Sequence, residues 1–201
     1  MTKYGFLRDV EADLLDRLLV KIVSEHGGVT FLEIGVFGGG TVTGVVNRCK
    51  ENGWFVHAAG VDFPEWKPNP VPFPEYEFYP TDSMDAWRDI PSRSFNLLFV
   101  DGCHCVNHAM SDFLNYSPFV VKNGYCLFHD TALPKGGTTQ GEWPQYHGYA
   151  GKPDSVLGVR EGLKKLGLLQ GYRKDWELVE ELKGGDDGLM GMCLFRKLKD
   201  L

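Results

Sequence analysis

An α/β domain built on a mostly parallel sheet is the fold this sequence predicts, and three observations predict it. Short apolar runs alternate with stretches of helical spacing along the chain. Two of those runs, 95–101 and 124–130, are continuously apolar up to a closing acid, as central strands buried on both faces are. The chain then closes on two strand-like segments around a glycine-rich turn, the pattern of an antiparallel hairpin.

Each element follows in order. Between positions 10 and 25, Leu14, Leu15, Leu18, Leu19 and Ile22 recur at helical spacing and Gly27-Gly28 supplies the stop, so an amphipathic helix opens the chain. The strands VTFLEIGV (29–36), WFVHAAGVDF (54–63), YEFYP (76–80), FNLLFVD (95–101) and GYCLFHD (124–130) follow, with helices between them covering both faces of the sheet. The segment PEWKPNPVPFPE (64–75) is read as a loop, because its prolines remove amide donors and favour extended backbone. The stretch 131–154 has no regular periodicity, and a loop that long in a compact domain is usually functional or mobile. A helix over 155–167 and the hairpin DWELVEEL/GLMGMCLFRK around GGDDG (184–188) complete the chain. One domain over 1–201 is expected: an N-terminal helix (1–28), a core (29–130), a lid loop (131–154), and a C-terminal helix with hairpin (155–201).

Composition narrows the function classes. With 21 Lys plus Arg against 27 Asp plus Glu the net charge is −6, and the basic residues form no cluster able to track a phosphate backbone, so nucleic acid is not the expected partner. Five cysteines, an odd number, mostly in or beside apolar runs, point to a reducing compartment. The acidic N-terminal stretch with Asp9, Glu11, Asp13 and Asp16 is unlike a targeting segment, and no apolar run reaches spanning length. A cytoplasmic protein without a membrane partner is expected.

Two places carry chemistry. In FLEIGVFGGGTV (31–42) a strand ends at Glu33 and enters four glycines before a helix starting near Thr41. Glycines there let the backbone turn sharply and approach a ligand, and the helix start offers free amide donors. The next strand ends at Asp62, whose carboxylate can accept both hydroxyls of a ribose, and Phe63 beside it can stack on an adenine face. The bland alternatives are a glycine turn that merely closes the unit and a core Phe63.

At the C-terminal ends of the two central strands stand Asp101 and the pair His129-Asp130, with His104 three residues after Asp101. Parallel neighbours release their ends on one sheet edge, so these groups should meet, and several partly buried carboxylates call for a cation. The alternative is a helix-capping Asp101 with a satisfied core His129. His104, near a helix start whose positive end disfavours imidazolium, suits a general base, with Asp101 beside it. His108 and Asp112 share its helix face as secondary or solvated groups. The pair Cys103 and Cys105 lacks a second ligand pair at zinc-finger spacing, and a CxC disulfide across such a turn would be strained, so both are read as packing residues.

Taken together, ExGxxxG after the first strand, GVDF closing the second, YPTDSMDAW after the third, VDGCHC ending the fourth and VVKNGYCLFHD through the fifth resemble the class I S-adenosylmethionine-dependent methyltransferases. The resemblance is to the branch of metal-dependent small-molecule and sugar O-methyltransferases, and it covers 31–130. It implies a Rossmann-like, seven-stranded sheet with a reversed last strand. It places Glu33, Gly35 and Gly39, with Gly38 and Thr41 of the same turn, beside the methionine part of the cofactor, Asp62 on the ribose, and Asp82 and Ser83 at the adenine. Asp82 as a helix cap is the competing reading. It also implies a divalent metal, magnesium, manganese or another, on Asp101, His129 and Asp130, with His129 standing where that branch often has an acid. Imidazole suits softer ions than magnesium, or His129 instead orients Asp130.

The expected function is methyl transfer from S-adenosylmethionine to a hydroxyl of a small molecule, His104 taking the proton and a metal assisting. The alternatives are a metal-dependent oxygenase or hydrolase using His104, His129 and Asp130, and a cofactor-binding protein without turnover. The aromatic loop EWPQYHGY (142–149) is read as a lid over the acceptor or as a homo-oligomer contact.

Overall fold

The computed structural model describes residues 2–64, 73–91, 94–132, 158–184 and 190–200. Most of the proline-rich loop and nearly all of the expected lid, including 142–149, lie outside the described residues. The order is α1 (Asp9–His26), β1 (Gly28–Ile34), α2 (Gly40–Glu51), β2 (Phe55–Asp62), β3 (Tyr76–Pro80), α3 (Ser83–Ala86), β4 (Phe95–Val100), α4 (Val106–Tyr116), β5 (Val120–Phe128), α5 (Val159–Lys165), β6 (Trp176–Leu182) and β7 (Met192–Lys197). The strands form one seven-stranded sheet in the order β3-β2-β1-β4-β5-β7-β6. Neighbours are parallel from β3 through β5, and β7 runs antiparallel to both β5 and β6. This is the expected sheet with its reversed last strand.

Side-chain alternation explains the two layers. Phe31, Ala58, Leu97, Phe99 and Leu127 face a core shared with α1 and α2, whereas Leu32, Ala59, Leu98, Cys126 and Phe128 face the one built with α3, α4 and α5. Successive residues of the same strand thus bury into opposite cores, which is why β4 reads as unbroken apolar sequence. Helix α1 stops where Gly27 turns left-handed (φ 78°) and its amide bonds Val23 O.

The strand order places the site. From β1 the chain moves outward through β2 and β3, then returns to β4 on the other side of β1. Open α/β sheets bind ligands at such a reversal, outside the carboxyl ends of the strands. Here those ends are Glu33 on β1, Asp101 after β4 and His129-Asp130 after β5.

Candidate active site

Backbone hydrogen bonds continue past the strand ends and hold the site residues side by side. Gly35 N bonds Val61 O at 2.9 Å, Asp101 N bonds Ile34 O at 2.8 Å and His129 N bonds Val100 O at 3.0 Å. Gly35 has φ 86°, and a Cβ there would stand 2.2 Å from Asp101 O, so only glycine lets the first turn pass this close to the second. Phe37 (φ 48°) and Asp130 (φ 54°) also lie in the left-handed region. Of the four non-glycine residues with positive φ among the described residues, these two flank the crevice, while Asn123 and Met190 lie outside it.

Asp62 shapes the glycine turn. Its Oδ2 accepts the amides of Val36 (2.8 Å) and Phe37 (2.7 Å), and its Oδ1 accepts that of Phe63 (2.8 Å). Glu33 is buried behind the turn, and its Oε2 has no hydrogen-bond partner. Burial, with Asp101 and Asp62 nearby, raises its carboxyl well above the ordinary range despite bonds from Thr41 and Val42. Thr41 is buried at the start of α2, whose cap Gly39 is left-handed and buried, while Gly38 is exposed. Phe63 is half-buried at the rim rather than in the core. Asp82 caps α3, accepting the Met84 amide at 2.9 Å, while Ser83 O accepts the Tyr116 hydroxyl at 2.7 Å. Helix capping therefore accounts for one oxygen of Asp82.

The second group is an alternation of acids and imidazoles. His104 Nε2 lies 2.9 Å from Asp130 Oδ2 and 3.7 Å from Asp101 Oδ1. His129 Nδ1 lies 3.0 Å from Asp101 Oδ1 and 3.4 Å from Asp130 Oδ2. Burial opposes a charge on either ring, yet the two carboxylates prevail and lift His104 to about 10 and His129 to about 12. Burial alone would likewise raise Asp101 and Asp130, but the two imidazoles hold both below the ordinary range.

A neutral His104 is the expectation from sequence, whereas its surroundings in the structure favour the charged ring. Helix α4 starts at Val106, beyond His104, so two adjacent carboxylates govern the ring and not the helix end. One ligand atom each from Asp101, His104 and Asp130 lie within 4.8 Å of one another, and His129 Nδ1, of the expected metal set, lies 3.0 Å and 3.4 Å from the same two acids. Both imidazoles of the two-histidine, one-carboxylate alternative reach Asp130 Oδ2, His104 Nε2 at 2.9 Å and His129 Nδ1 at 3.4 Å.

His129 has a partner that local spacing could not show. Its Nε2 faces Glu11 Oε2 at 3.5 Å, and Glu11 is wholly buried in α1. Arg8 donates to Glu11 from its amide (2.9 Å) and from its guanidinium (2.7 Å), and Gly191 N reaches Glu11 Oε1 at 3.0 Å. The signal was present in sequence: position 11 continues the stripe of Leu14, Leu15, Leu18, Leu19 and Ile22, so a carboxylate stood on the core face. Asp112, expected on a secondary or solvated face, is wholly buried as well.

The crevice is roofed by the N-terminal segment. Phe6 and Leu7 join Glu33, Gly35, Thr41 and Asp101 around a cavity of about 80 Å³, and the Phe6 and Phe37 rings meet at its edge with centroids 5.9 Å apart. At the other side, the Gly158 amide bonds His104 O at 3.0 Å, which ties the start of α5 to the site.

A switch-point crevice with a glycine turn on β1, an acid ending β2 and a reversed seventh strand defines the class I methyltransferase fold. Residues 32–131 match the model of a family described as a methyltransferase domain, and the chain belongs to that family. Solved structures agree on the fold. The O-methyltransferase TomG from Streptomyces achromogenes, in complex with SAM, is 16% identical over 92% of this chain and 80% of its own, with TM-score 0.61. The N-methyltransferase NodS from Bradyrhizobium japonicum WM9, with S-adenosyl-L-homocysteine, is 16% identical over 96% and 89%, with TM-score 0.61. MycE of the mycinamycin biosynthetic pathway, with Mg, SAH and mycinamycin VI, is 21% identical over 98% of this chain and 52% of its own, with TM-score 0.60. This chain therefore spans about half the length of MycE. No curated protein sequence matches the chain. No described helix is long and apolar enough to cross a membrane.

Proposed function

We propose that this protein transfers the methyl group of S-adenosylmethionine to a hydroxyl of a small molecule, with a divalent cation held at Asp101 and Asp130. The observation that carries the proposal is the convergence of Asp101, His104 and Asp130 beside the glycine turn, at the edge where this fold binds its ligands.

The residues fit both groups. The unpartnered, buried Oε2 of Glu33 is an acceptor for the ammonium of a methionine end, and the cavity beside it has room for that end rather than for a whole nucleoside. Asp62 and Phe63 stand at the open rim, where the ribose and adenine would extend. The two carboxylates form an oxygen donor set that suits manganese or magnesium completed by water, with the His104 imidazole beside it. When bound, the cofactor supplies an electrophilic methyl on a sulfonium and the cation supplies Lewis acidity toward a hydroxyl oxygen.

The chain's own residues supply the rest. Asp62 fixes the turn through the Val36 and Phe37 amides, so the turn is pre-shaped for its ligand. His129, locked between Glu11 and Asp101, orients the Asp101 carboxylate. His104 Nε2 is the atom that takes the acceptor's proton, and Asp130 at 2.9 Å stabilises the resulting imidazolium. Phe6 and Leu7 exclude water from the methionine end.

A calorimetric titration with S-adenosylmethionine and S-adenosylhomocysteine, on metal-stripped protein and after adding magnesium or manganese, tests the cofactor half. Micromolar binding supports it, and no binding under any condition refutes it. Product analysis over paired hydroxyl and amine acceptors tests the other half: methylated amines with untouched hydroxyls would refute O-transfer.

A further inference from the structure

The turn after β4 carries ligand-type residues in alternation, and the fold gathers them into two sets. Asp101 and His104 join Asp130; Cys103, Cys105 and His108 form a separate group. Sγ of Cys103 lies 2.8 Å from Sγ of Cys105, and one ligand atom from each of these three residues falls within 4.8 Å of the others. The local cause is the helix start. Cys105 caps α4 with extended backbone (φ −77°, ψ 146°), and His108, in the first turn, projects toward the N-terminus and so back over the cysteines. Cys105 is buried while Cys103 and His108 are half-buried, which leaves the group open to solvent on one side.

A second observation points to a ligand. Asp112, one turn beyond His108, is 0% exposed, and neither carboxylate oxygen has a well-formed hydrogen bond, the Ser83 side chain being a weak neighbouring donor. Burial pushes its carboxyl up to about 7, although the side chains of Ser83 and His108 favour the ionised form. Histidines that bind metal through one ring nitrogen commonly donate the other N–H to a carboxylate, and Asp112 is the unused acceptor such a histidine needs.

We propose that Cys103, Cys105 and His108 form a second metal site, selective for a borderline or soft ion such as Zn²⁺, with Asp112 orienting His108 from behind. The absence of a second cysteine pair is no obstacle, because two sulfurs, one imidazole and a water complete a tetrahedral shell. Zn–S bonds of about 2.3 Å want the sulfurs about 3.8 Å apart, so the two thiols separate by about 1 Å on binding. Both enter as thiolates, and two protons leave to solvent for each ion bound. Thiolates select zinc over magnesium, so this site and the acid-rich set next to it discriminate between ions by donor type. Because His104 lies between the two cysteines in sequence, the ion fixes the turn that carries it.

The test uses full-length, reduced, metal-stripped protein and Co²⁺ as a spectroscopic probe. One equivalent of Co²⁺ should produce a thiolate-to-metal charge-transfer band in the near ultraviolet, bleached by equimolar Zn²⁺ and untouched by excess Mg²⁺. The double variant Cys103→Ser, Cys105→Ser should lose the band. His108→Ala, on a half-buried helix position, should weaken Zn²⁺ binding by about tenfold or more while leaving the melting temperature of the metal-free protein unchanged. A cobalt complex without the sulfur band, or zinc affinity unchanged in both variants, overturns the proposal. Either outcome is independent of whether S-adenosylmethionine binds.

Discussion

His129 Nδ1 lies 3.0 Å from Asp101 Oδ1, so the ends of two neighbouring central strands are joined by a partly buried pair at the carboxyl edge of the sheet. The opposite ring nitrogen faces Glu11, which places one imidazole between a buried and a half-buried acid. Breaking such a pair by removing one partner strands the other in a poorly solvated place. His129→Asn should therefore cost about 3–5 kcal/mol in urea unfolding. A loss below about 1 kcal/mol, the scale of an exposed pair, would mean that His129 is neutral in the native protein.

The same cluster fixes a pH window. Burial would raise the Glu11 carboxyl, but bonds from His129 and Arg8 bring it to about 2. Its contribution is complete above the ordinary 4.5 and is lost as pH falls toward 2. His129 runs the other way: burial would lower it, Asp101 lifts it to about 12, and its contribution is complete below the ordinary 6.5 and declines as pH climbs toward 12. The stability gap between wild type and His129→Asn should thus be widest between 4.5 and 6.5 and narrow on both sides. Urea midpoints measured within that range and on both sides of it check this, and a gap that keeps growing above neutrality contradicts it.

Much of this architecture was legible because it rests on local pattern. Strands buried on both faces must be apolar throughout, and β4 and the second half of β5 are. The first half of β5 escaped because Lys122 and Asn123 interrupt it; the pairing with β4 jumps from Phe95↔Val120 to Leu97↔Tyr125, and the left-handed Asn123 (φ 63°) sits in that irregularity. The meeting of Asp101 with His129-Asp130 followed from topology alone. How the two imidazoles share the acids did not, since a ring's direction depends on partners distant in sequence, and Glu11 lies in another element altogether. The cysteine pair was visible too, but only the helix start shows that His108 folds back onto it.

Asp62 accepts two consecutive amides of the glycine turn, at 2.8 and 2.7 Å, so its loss should disorder the cofactor's seat whether or not it also touches ribose. Hydrogen bonds to a charged group contribute about 1.5–3 kcal/mol each, so Asp62→Ala should weaken S-adenosylhomocysteine binding about a hundredfold or more by calorimetry. Asp62→Asn, which keeps one acceptor oxygen, should recover part of the loss. Manganese uptake, followed by electron paramagnetic resonance, should be unchanged in both, because Asp101 and Asp130 are anchored by other contacts. Unchanged cofactor affinity in the alanine variant would remove Asp62 from the cofactor site.

His104 carries the sharpest test of mechanism, because its ring has two competing uses. Beside Asp101 and Asp130, burial is outweighed and the ring's pKa is lifted to about 10, which favours its charged, protonated form. A cation drawing on the same two carboxylates would weaken their hold on that proton, and the ring would then accept one near neutrality. His104→Ala should accordingly lower kcat by about 10²–10⁴ while cofactor affinity stays near wild type, the usual magnitude for a lost acid–base group. The rising limb of the kcat–pH profile should vanish in the variant, a change that loss of mere packing would not produce. If instead manganese affinity falls in step with turnover, His104 is a ligand of the ion and the proton passes to another group. An unchanged rate would remove it from the chemistry.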